Sequence, residues 1–229
     1  MFWGPSYIPQ VKPLPLITGD ILKKICPSLH MARCNAIAGF MSKICPEYGI
    51  NSADILHEFL ANVCEESAEF ARYEENMYYS TAERLMQVWP GRFASTEAAL
   101  LYVNNPRGLA MKVYGSRKDL GNITPEDGWT FRGSGPMQLT GRTNFVDFSN
   151  WMIKQYNNVH TAEFWAQTLR SSDEYGIHSA SWVFAISKKL IDEAIADDLV
   201  DIVKKINGGM TGYPQRKKYY ELCKQYLPE

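Results

Sequence analysis

The sequence predicts a mainly α-helical protein with a small β or irregular element. Apolar residues recur at three- and four-residue spacing along most of the chain after residue 20, as they do in helices with one buried face. Several of these segments begin with a capping residue and end at proline or glycine. At 229 residues and 45% hydrophobic, the chain is long enough to bury a substantial core.

Composition argues against several classes of protein. The 24 basic residues are matched by 25 acidic ones, so no basic surface for nucleic acid is indicated. No apolar run reaches the length of a membrane span, and the first twenty residues lack the apolar segment of a secretion signal. We therefore expect no nucleic-acid partner, no stable membrane insertion, and a protein that stays in the cytoplasm where it is made.

The cysteines and histidines show no metal-binding spacing. The five cysteines form no CxxC pair, and the four histidines form no HExxH motif. Reduced and mostly buried thiols are expected, with neither a metal nor an organic cofactor.

The N-terminal half is expected to hold short helices behind a proline-rich arm. Residues 1–19 are assigned to the arm and residues 20–229 to one domain. Two short helices are expected first, over "GDILKKICPSL" and "RCNAIAGFMSKICPEYGI". A third is expected after Ser52, a plausible N-cap, with an apolar stripe at Ile55, Leu56, Phe59, Leu60, Val63 and Phe70.

Further helices follow the same signals. Ser80 and Glu83 have the spacing of a capping box for a helix beginning near Thr81, and "STEAALLYV" is a similar unit. Residues 121–142, "GNITPEDGWTFRGSGPMQLTGR", are rich in glycine and turn formers, which predicts an irregular or hairpin-like segment. Three C-terminal helices are expected over "EYGIHSASWVFAISKKL", "DDLVDIVKKI" and "PQRKKYYELCKQY".

Five carboxylates are concentrated in residues 64–80, "CEESAEFARYEENMYYS". Glu66 falls on the apolar stripe of the third helix, and a carboxyl group partly withdrawn from water can stay protonated as a general acid must. Glu74 and Glu75 are expected in the following loop. Glycoside hydrolysis uses a pair of carboxyl groups that face each other. Taken alone, however, an acidic cluster of this kind is more often the solvated face of a helix.

A family resemblance favours the catalytic interpretation. The segments "NVCEESAEF", "YEENMYYS", "DGWTFRGSGPMQLTGRTNF" and "INGG" followed by "PQRKKYY" have an order and spacing that resemble the family 19 glycoside hydrolases. That family contains plant-type chitinases and bacteriophage endolysins, and the short layout resembles the phage form. "GPMQLTGRTNF" is the most specific segment, since it resembles the family pattern GRGxIQLTGRxNY.

The resemblance implies a lysozyme-like, two-lobed single domain with an inverting mechanism. It implies Glu66 as general acid and Glu75 as general base, with Glu74 as the alternative base. Thr140 would help the base to hold the attacking water. Further residues implied or proposed to contact sugar are Gln138, Asn144, Asn207, Arg216, Tyr79 and Trp129, of which Trp129 could equally be a core residue.

Three departures from the family pattern affect four positions. Glu65 stands where histidine is usual, Ala68 and Glu69 replace a glycine pair, and Ser134 replaces an arginine. These changes weaken the assignment of neighbouring roles and leave the two glutamates and "QLTGRTN" in place.

The expected function is that of a monomeric endolysin, which hydrolyses β-1,4 bonds in peptidoglycan glycan strands. It would wait in the host cytoplasm and reach the periplasmic cell wall through a separate pore-former. A chitinase acting on GlcNAc polymers, a lytic transglycosylase and a non-catalytic glycan-binding relative are the alternatives.

Overall fold

The computed structural model describes residues 17–227. Most of the expected N-terminal arm lies outside them, and the first helix begins at Gly19. In chain order, the α-helices are α1 Gly19–Ile25, α2 Met31–Ile44, α3 Ala53–Glu66, α4 Ala82–Val88, α5 Thr96–Leu100, α6 Pro106–Tyr114, α7 Pro125–Thr130, α8 Arg142–Tyr156, α9 Ala162–Thr168, α10 Asp173–Trp182, α11 Ile191–Ile195, α12 Leu199–Asn207 and α13 Tyr213–Tyr226. Short 3-10 helices cover Cys45–Tyr48 and Lys118–Leu120, and a π-helical turn covers Val183–Ser187.

The prediction of a mainly α protein is confirmed. Within residues 17–227, β structure is limited to two isolated antiparallel bridges, which pair Ser134 with Glu74 and with Leu139. These bridges are the small β element that the sequence predicts. In the same described range, no helix is both long and apolar enough to cross a membrane.

The chain divides into two compact units. Unit 1 contains the described residues up to Glu65 together with those from Ser181 onward, and unit 2 comprises Glu66–Ala180. The prediction that residues 20–229 act as one catalytic domain stays a prediction.

Unit 1 is built on helices packed through apolar side chains. Helix α1 packs against α2 and α13, and the rings of Phe59 and Phe184 meet edge to face with centroids 5.5 Å apart. Helix α12 buries Leu199, Ile202 and Val203, the spacing of a one-sided helix. It ends at Gly208, which adopts φ 69° at the C-cap, as predicted.

Unit 2 has a compact apolar cluster, against which several residues of the candidate site pack. Buried residues of this cluster come from α4, α5, α6, the segment before α4 and the segment between α4 and α5: Met77, Ala82, Leu85, Phe93, Ala99, Leu109, Ala110 and Val113. Tyr79, Tyr114 and Trp129 are partly buried against it. Helix α6 packs on α7, and α8 packs on α9.

Several expected boundaries are corrected. Helix α3 ends at Glu66. The prediction that Phe70 belongs to the apolar stripe of this helix is therefore wrong, although Phe70 is buried. Thr81, rather than Ser80, caps α4 by accepting a hydrogen bond from the Arg84 N–H at 3.3 Å. The segment predicted to be irregular contains α7, which a capping box between Thr124 and Asp127 starts.

Candidate active site

Glu66 is the last residue of α3 and is half-buried. The next residues turn sharply, since Ala68, Glu69 and Phe70 adopt φ of 49°, 58° and 61°. Two hydrogen bonds close this turn: the Phe70 N–H donates to the Ser67 Oγ at 2.8 Å, and the Arg72 N–H donates to the Ser67 carbonyl at 2.8 Å. Glu66 therefore lies where regular helix gives way to a left-handed turn.

Both carboxylate oxygens of Glu75 accept a hydrogen bond. The hydroxyl of Tyr114, at the end of α6, donates to Oε1 at 2.7 Å. The backbone N–H of Gly133 donates to Oε2 at 3.0 Å, and the Glu75 N–H donates back to the Gly133 carbonyl at 2.9 Å. Glu75 is therefore held at both of its oxygens by groups that are distant in the sequence.

The two tyrosines near Glu75 remain protonated at neutral pH. Burial, followed by the Glu75 charge, raises the pKa of Tyr114 and also that of Tyr79. Tyr114 can thus act as a permanent hydrogen-bond donor to Glu75. Tyr79 also packs edge to face on Trp89, with ring centroids 5.0 Å apart.

Gly133 allows Glu75 and Gln138 to approach the same stretch of backbone. A Cβ at this position would lie 2.6 Å from the Gln138 Oε1 and 3.2 Å from the Glu75 Oε2. Any side chain here would displace one or both. The absence of a side chain at Gly133 therefore brings the amide of Gln138 next to the candidate base.

Glu74 is held differently from its neighbour. Its carboxylate forms an ion pair with Arg132, whose Nε donates to Oε1 at 3.0 Å. The Arg132 guanidinium lies 3.5 Å from the ring centroid of Trp129 and also donates to the Trp129 carbonyl. The partner of Glu74 in this ion pair, Arg132, is buried, with 4% of its surface exposed. The contact is therefore a structural one.

A second arginine forms hydrogen bonds next to the β-bridge between Glu74 and Ser134. Arg170 donates from Nε to the Ser134 Oγ at 3.1 Å and from Nη2 to the Thr130 carbonyl at 2.6 Å. Burial and the nearby charge of Arg132 lower the pKa of Arg170 to about 10. Ser134 replaces the arginine of the family pattern. The guanidinium of Arg170, a residue distant in the sequence but in the same unit, lies beside it.

The predicted Thr140 and Asn144 lie in a hydrogen-bonded loop that leads into α8. The Thr140 hydroxyl donates to the Gln138 carbonyl at 2.9 Å, and the Asn144 side chain donates to the Thr140 carbonyl at 2.7 Å. Gln138 adopts φ 51° and its amide donates to the Gly135 carbonyl at 3.0 Å. These bonds give the loop a defined shape next to Gly133.

An open pocket of about 350 Å³ adjoins Glu75. Its walls are formed by Glu74, Glu75, Asn76, Met77, Tyr78, Pro106, Trp129 and Arg132. Tyr78 is 56% exposed, and its N–H donates to the Asn76 side chain at 2.9 Å. An exposed aromatic ring beside a polar rim is suited to a sugar ring, since sugars present both apolar faces and hydroxyl groups.

The two remaining predicted residues belong to unit 1. Arg216 is 2% exposed and donates to the Asn62 Oδ1 at 2.8 Å, which makes it an interior residue of that unit. Asn207 is exposed at the end of α12 and donates to the Thr211 carbonyl at 2.9 Å. Their contact with sugar stays a prediction.

Sequence reasoning missed Tyr114, Gly133, Arg132 and Arg170. Tyr114 is 39 residues from its partner Glu75, and Arg132 is 58 residues from Glu74, so no local spacing links them. In residues 17–227, no three His, Cys, Asp or Glu side chains gather in a way that could hold a metal ion.

Comparison with known proteins adds a relationship to this geometry. No protein-family model matches the chain. A protein of Haemophilus influenzae named "Glycosyl hydrolase family 19 domain-containing protein" is 28% identical over 155 residues, 68% of this chain and 71% of the relative. The chain is thus similar to a family 19 protein. This family 19 similarity supports the resemblance read from the motifs, and with it a glycoside hydrolase function.

Proposed function

We propose that the protein hydrolyses β-1,4 glycosidic bonds of bacterial peptidoglycan, with Glu66 as general acid and Glu75 as general base. One observation carries the proposal: Glu75 lines an open pocket while Tyr114 and Gly133 hold both of its oxygens. Two hydrogen bonds from neutral donors fix the direction of this carboxyl group. It can then take a proton from a water molecule as that water attacks the sugar.

The mechanism is an inverting displacement. Glu66 donates its proton to the leaving glycosidic oxygen, and Glu75 removes a proton from the attacking water on the opposite face of the ring. Inverting enzymes separate the two carboxyl groups by roughly 6.5–9.5 Å to leave room for that water. Thr140, whose hydroxyl proton is given to the Gln138 carbonyl, can accept a hydrogen bond from the water through its oxygen.

The environment of the adjacent glutamates supports Glu75 over Glu74 as the base. The ion pair with Arg132 neutralises Glu74 and directs its carboxylate to a guanidinium. The guanidinium contacts occupy Oε1 of Glu74, one of its two carboxylate oxygens. Tyr114 donates a neutral hydrogen bond to Glu75 and leaves its charge uncompensated.

The lining of the pocket favours a neutral glycan. Glu74 and Arg132 cancel each other's charge, while Tyr78 and Trp129 provide aromatic surface. Chitin and the amino-sugar backbone of peptidoglycan both meet this description, and we propose peptidoglycan strands as the partner of a monomeric endolysin. In that role, the enzyme stays in the host cytoplasm until a separate pore-former admits it to the periplasmic wall.

The test is mass spectrometry of products released from purified Gram-negative peptidoglycan, with a chitin oligomer assayed in parallel. Reducing-end disaccharide-peptides are expected from peptidoglycan and little from chitin. Glu66→Gln and Glu75→Gln are each expected to lower the rate by at least about 100-fold, the lower end of the range for acid–base groups. Glu74→Gln is the matched control and should keep most of the activity.

Each other result has a definite meaning. Cleavage of chitin alone would make the protein a chitinase, and anhydro-sugar products would make it a transglycosylase. Inactivity on both glycans would favour a binding module. A Glu74→Gln loss with an active Glu75→Gln variant would exchange the two roles.

A further inference from the structure

Two buried thiols of unit 1 lie unusually close together. The Sγ atoms of Cys26 and Cys64 are 3.2 Å apart, and both residues are 0% exposed. A disulfide has an S–S distance of about 2.0 Å, so a modest movement of one side chain brings the sulfurs to bonding distance. We propose that Cys26 and Cys64 form a disulfide when the protein meets a thiol oxidant.

Two of the other three cysteines have hydrogen-bond contacts away from this pair. The Cys34 thiol donates to the Leu29 carbonyl at 3.8 Å, and Cys45 contacts the Ser181 Oγ at 3.9 Å. Burial raises the pKa of Cys45 to about 12, which keeps it from acting as a thiolate. The contact of 3.2 Å thus singles out one pair among five buried thiols.

Cys34 and Cys223 are the natural competitors for Cys26. Both lie within electrostatic reach of it, because a charge on Cys26 raises the pKa of each. Burial is the larger cause in both cases. A Cys26–Cys34 or Cys26–Cys223 product would therefore be the specific sign that the proposed pairing is wrong.

Reaction of the pair requires local opening, because both thiols are buried. Cys26 follows α1, a helix of 7 residues, and has left helical geometry at φ −118° and ψ 73°. Folded proteins open locally with free energies that range from near zero up to that of global unfolding. Cys64 lies within the last turn of α3, so opening around Cys26 is the step that exposes the pair to a reagent.

The reaction is a thiol–disulfide exchange with a disulfide oxidant such as oxidised glutathione. One cysteine thiolate attacks a sulfur of the oxidant and releases a glutathione thiolate, which leaves a mixed disulfide. The second cysteine thiolate then attacks the protein sulfur and releases the second glutathione. The two cysteines lose two protons and two electrons in total, and one oxidised glutathione becomes two reduced molecules.

The bond would connect the end of α1 to α3 two residues before Glu66. It would close the segment from residue 26 to residue 64 and so restrict the unfolded chain. Stabilisation would then appear in an oxidising compartment and be absent in a reducing one. This inference concerns unit 1 alone and does not depend on which glycan is cleaved.

The test uses the full chain incubated, and in a second arm refolded, in a glutathione redox buffer. Free thiols are then alkylated under denaturing conditions and the protein is analysed by intact mass and non-reducing peptide mapping. We expect three alkylated cysteines, so that the intact mass lies below that of the reduced and fully alkylated chain by two alkyl additions and two hydrogens, and a peptide joining Cys26 to Cys64. The melting temperature should rise by several degrees over the dithiothreitol-treated protein.

Matched variants separate this result from general oxidation. Cys34→Ser should still form the bond, whereas Cys64→Ser should show neither the linked peptide nor the rise in melting temperature. Full alkylation of all five thiols after refolding would overturn the proposal. So would a linkage of Cys26 to any cysteine other than Cys64.

Discussion

At the scale of single residues, Glu74 and Glu75 show how two adjacent glutamates acquire different properties. Glu74 is exposed and paired with a guanidinium, while Glu75 is half-buried and accepts bonds from a phenol and a backbone N–H. The difference comes from the strand bridge at Glu74, which directs successive side chains to opposite sides. Neighbouring positions in the sequence therefore have separate roles.

Tyr114→Phe should weaken catalysis without disturbing the fold. The variant keeps the ring that packs on the apolar cluster and loses the hydroxyl that holds the Glu75 Oε1. A hydrogen bond to a charged group is worth about 1.5–3 kcal/mol, which corresponds to a decrease in kcat of about 10- to 100-fold. Steady-state kinetics should show this decrease with little change in KM.

Tyr102→Phe is the control for that variant, because Tyr102 is partly buried against the same cluster. Its activity should match the wild type. Equal kcat values for Tyr114→Phe and wild type would show that the phenol does not position the base.

At the scale of elements, the turn after α3 holds three non-glycine residues in left-handed geometry. Ala68 and Glu69 occupy the positions where the family pattern has glycines, and both have positive φ. A residue with a Cβ pays roughly 1–2 kcal/mol for this conformation. The departure from the family pattern thus produces backbone strain directly after the candidate acid.

Ala68→Gly should stabilise the protein. Ala68 is exposed, so the substitution removes a strained Cβ with little loss of packing. The net gain should be about 1 kcal/mol after the larger unfolded-state entropy of glycine is subtracted. Calorimetry should then show a melting temperature about 2–4 °C higher.

Ala71→Gly provides the matched comparison. Ala71 is also exposed, and its φ is not positive, so glycine there should leave the melting temperature unchanged or lower it. A lower melting temperature for Ala68→Gly would mean that the turn is not strained at this residue.

At the scale of the whole molecule, a buried carboxyl group sets part of the response to pH. Glu58, within α3, is 0% exposed, and neither of its oxygens has a hydrogen-bond partner among the described residues. Burial raises its pKa from 4.5 to about 8, with smaller contributions from Asp197 and Asp198, while Lys224 opposes the shift. The folded protein therefore favours the neutral acid.

The free energy of unfolding should fall as pH rises from about 4.5 to about 8. Below this window Glu58 is protonated in both states, and within it the unfolded chain ionises first, which favours unfolding. Glu58→Gln removes this ionisation, so its melting temperature should decline less between pH 5 and pH 8.5 than that of the wild type. Thermal melts across this range measure the difference.

A control and a separate pH window make this test specific. Glu221→Gln, at an exposed position of α13, should follow the wild-type profile. Asp127 affects stability in a different pH range, because hydrogen bonds from Arg142 lower its pKa from 3.8 to about 2. Its contribution to the free energy of unfolding is lost only as the pH falls through that lower range. Parallel profiles for Glu58→Gln and wild type would contradict the assignment.

Local signals explain which elements the sequence could predict. The caps at Ser95 and the stop at Gly208 act within one turn of their helices, so they are visible in a short window. Helix α7 has a local start signal in Thr124, Pro125 and Asp127, but the glycines around it led to the prediction of an irregular segment. The end of α3 at Glu66 has neither proline nor glycine to mark it. Phe70 lies just beyond the end of α3 and is fully buried by tertiary packing, at 0% exposed.

The sequence by itself determined the mainly helical class, the family resemblance and the choice of Glu66 and Glu75 as candidates. These follow from residue types at short spacings, which pattern and motif record directly. Only the tertiary structure decided that Tyr114 and Gly133 hold Glu75, that Arg132 holds Glu74, and that Cys64 lies beside Cys26. Such contacts join residues 38 to 58 positions apart, and chain folding, not local spacing, brings them within hydrogen-bond distance.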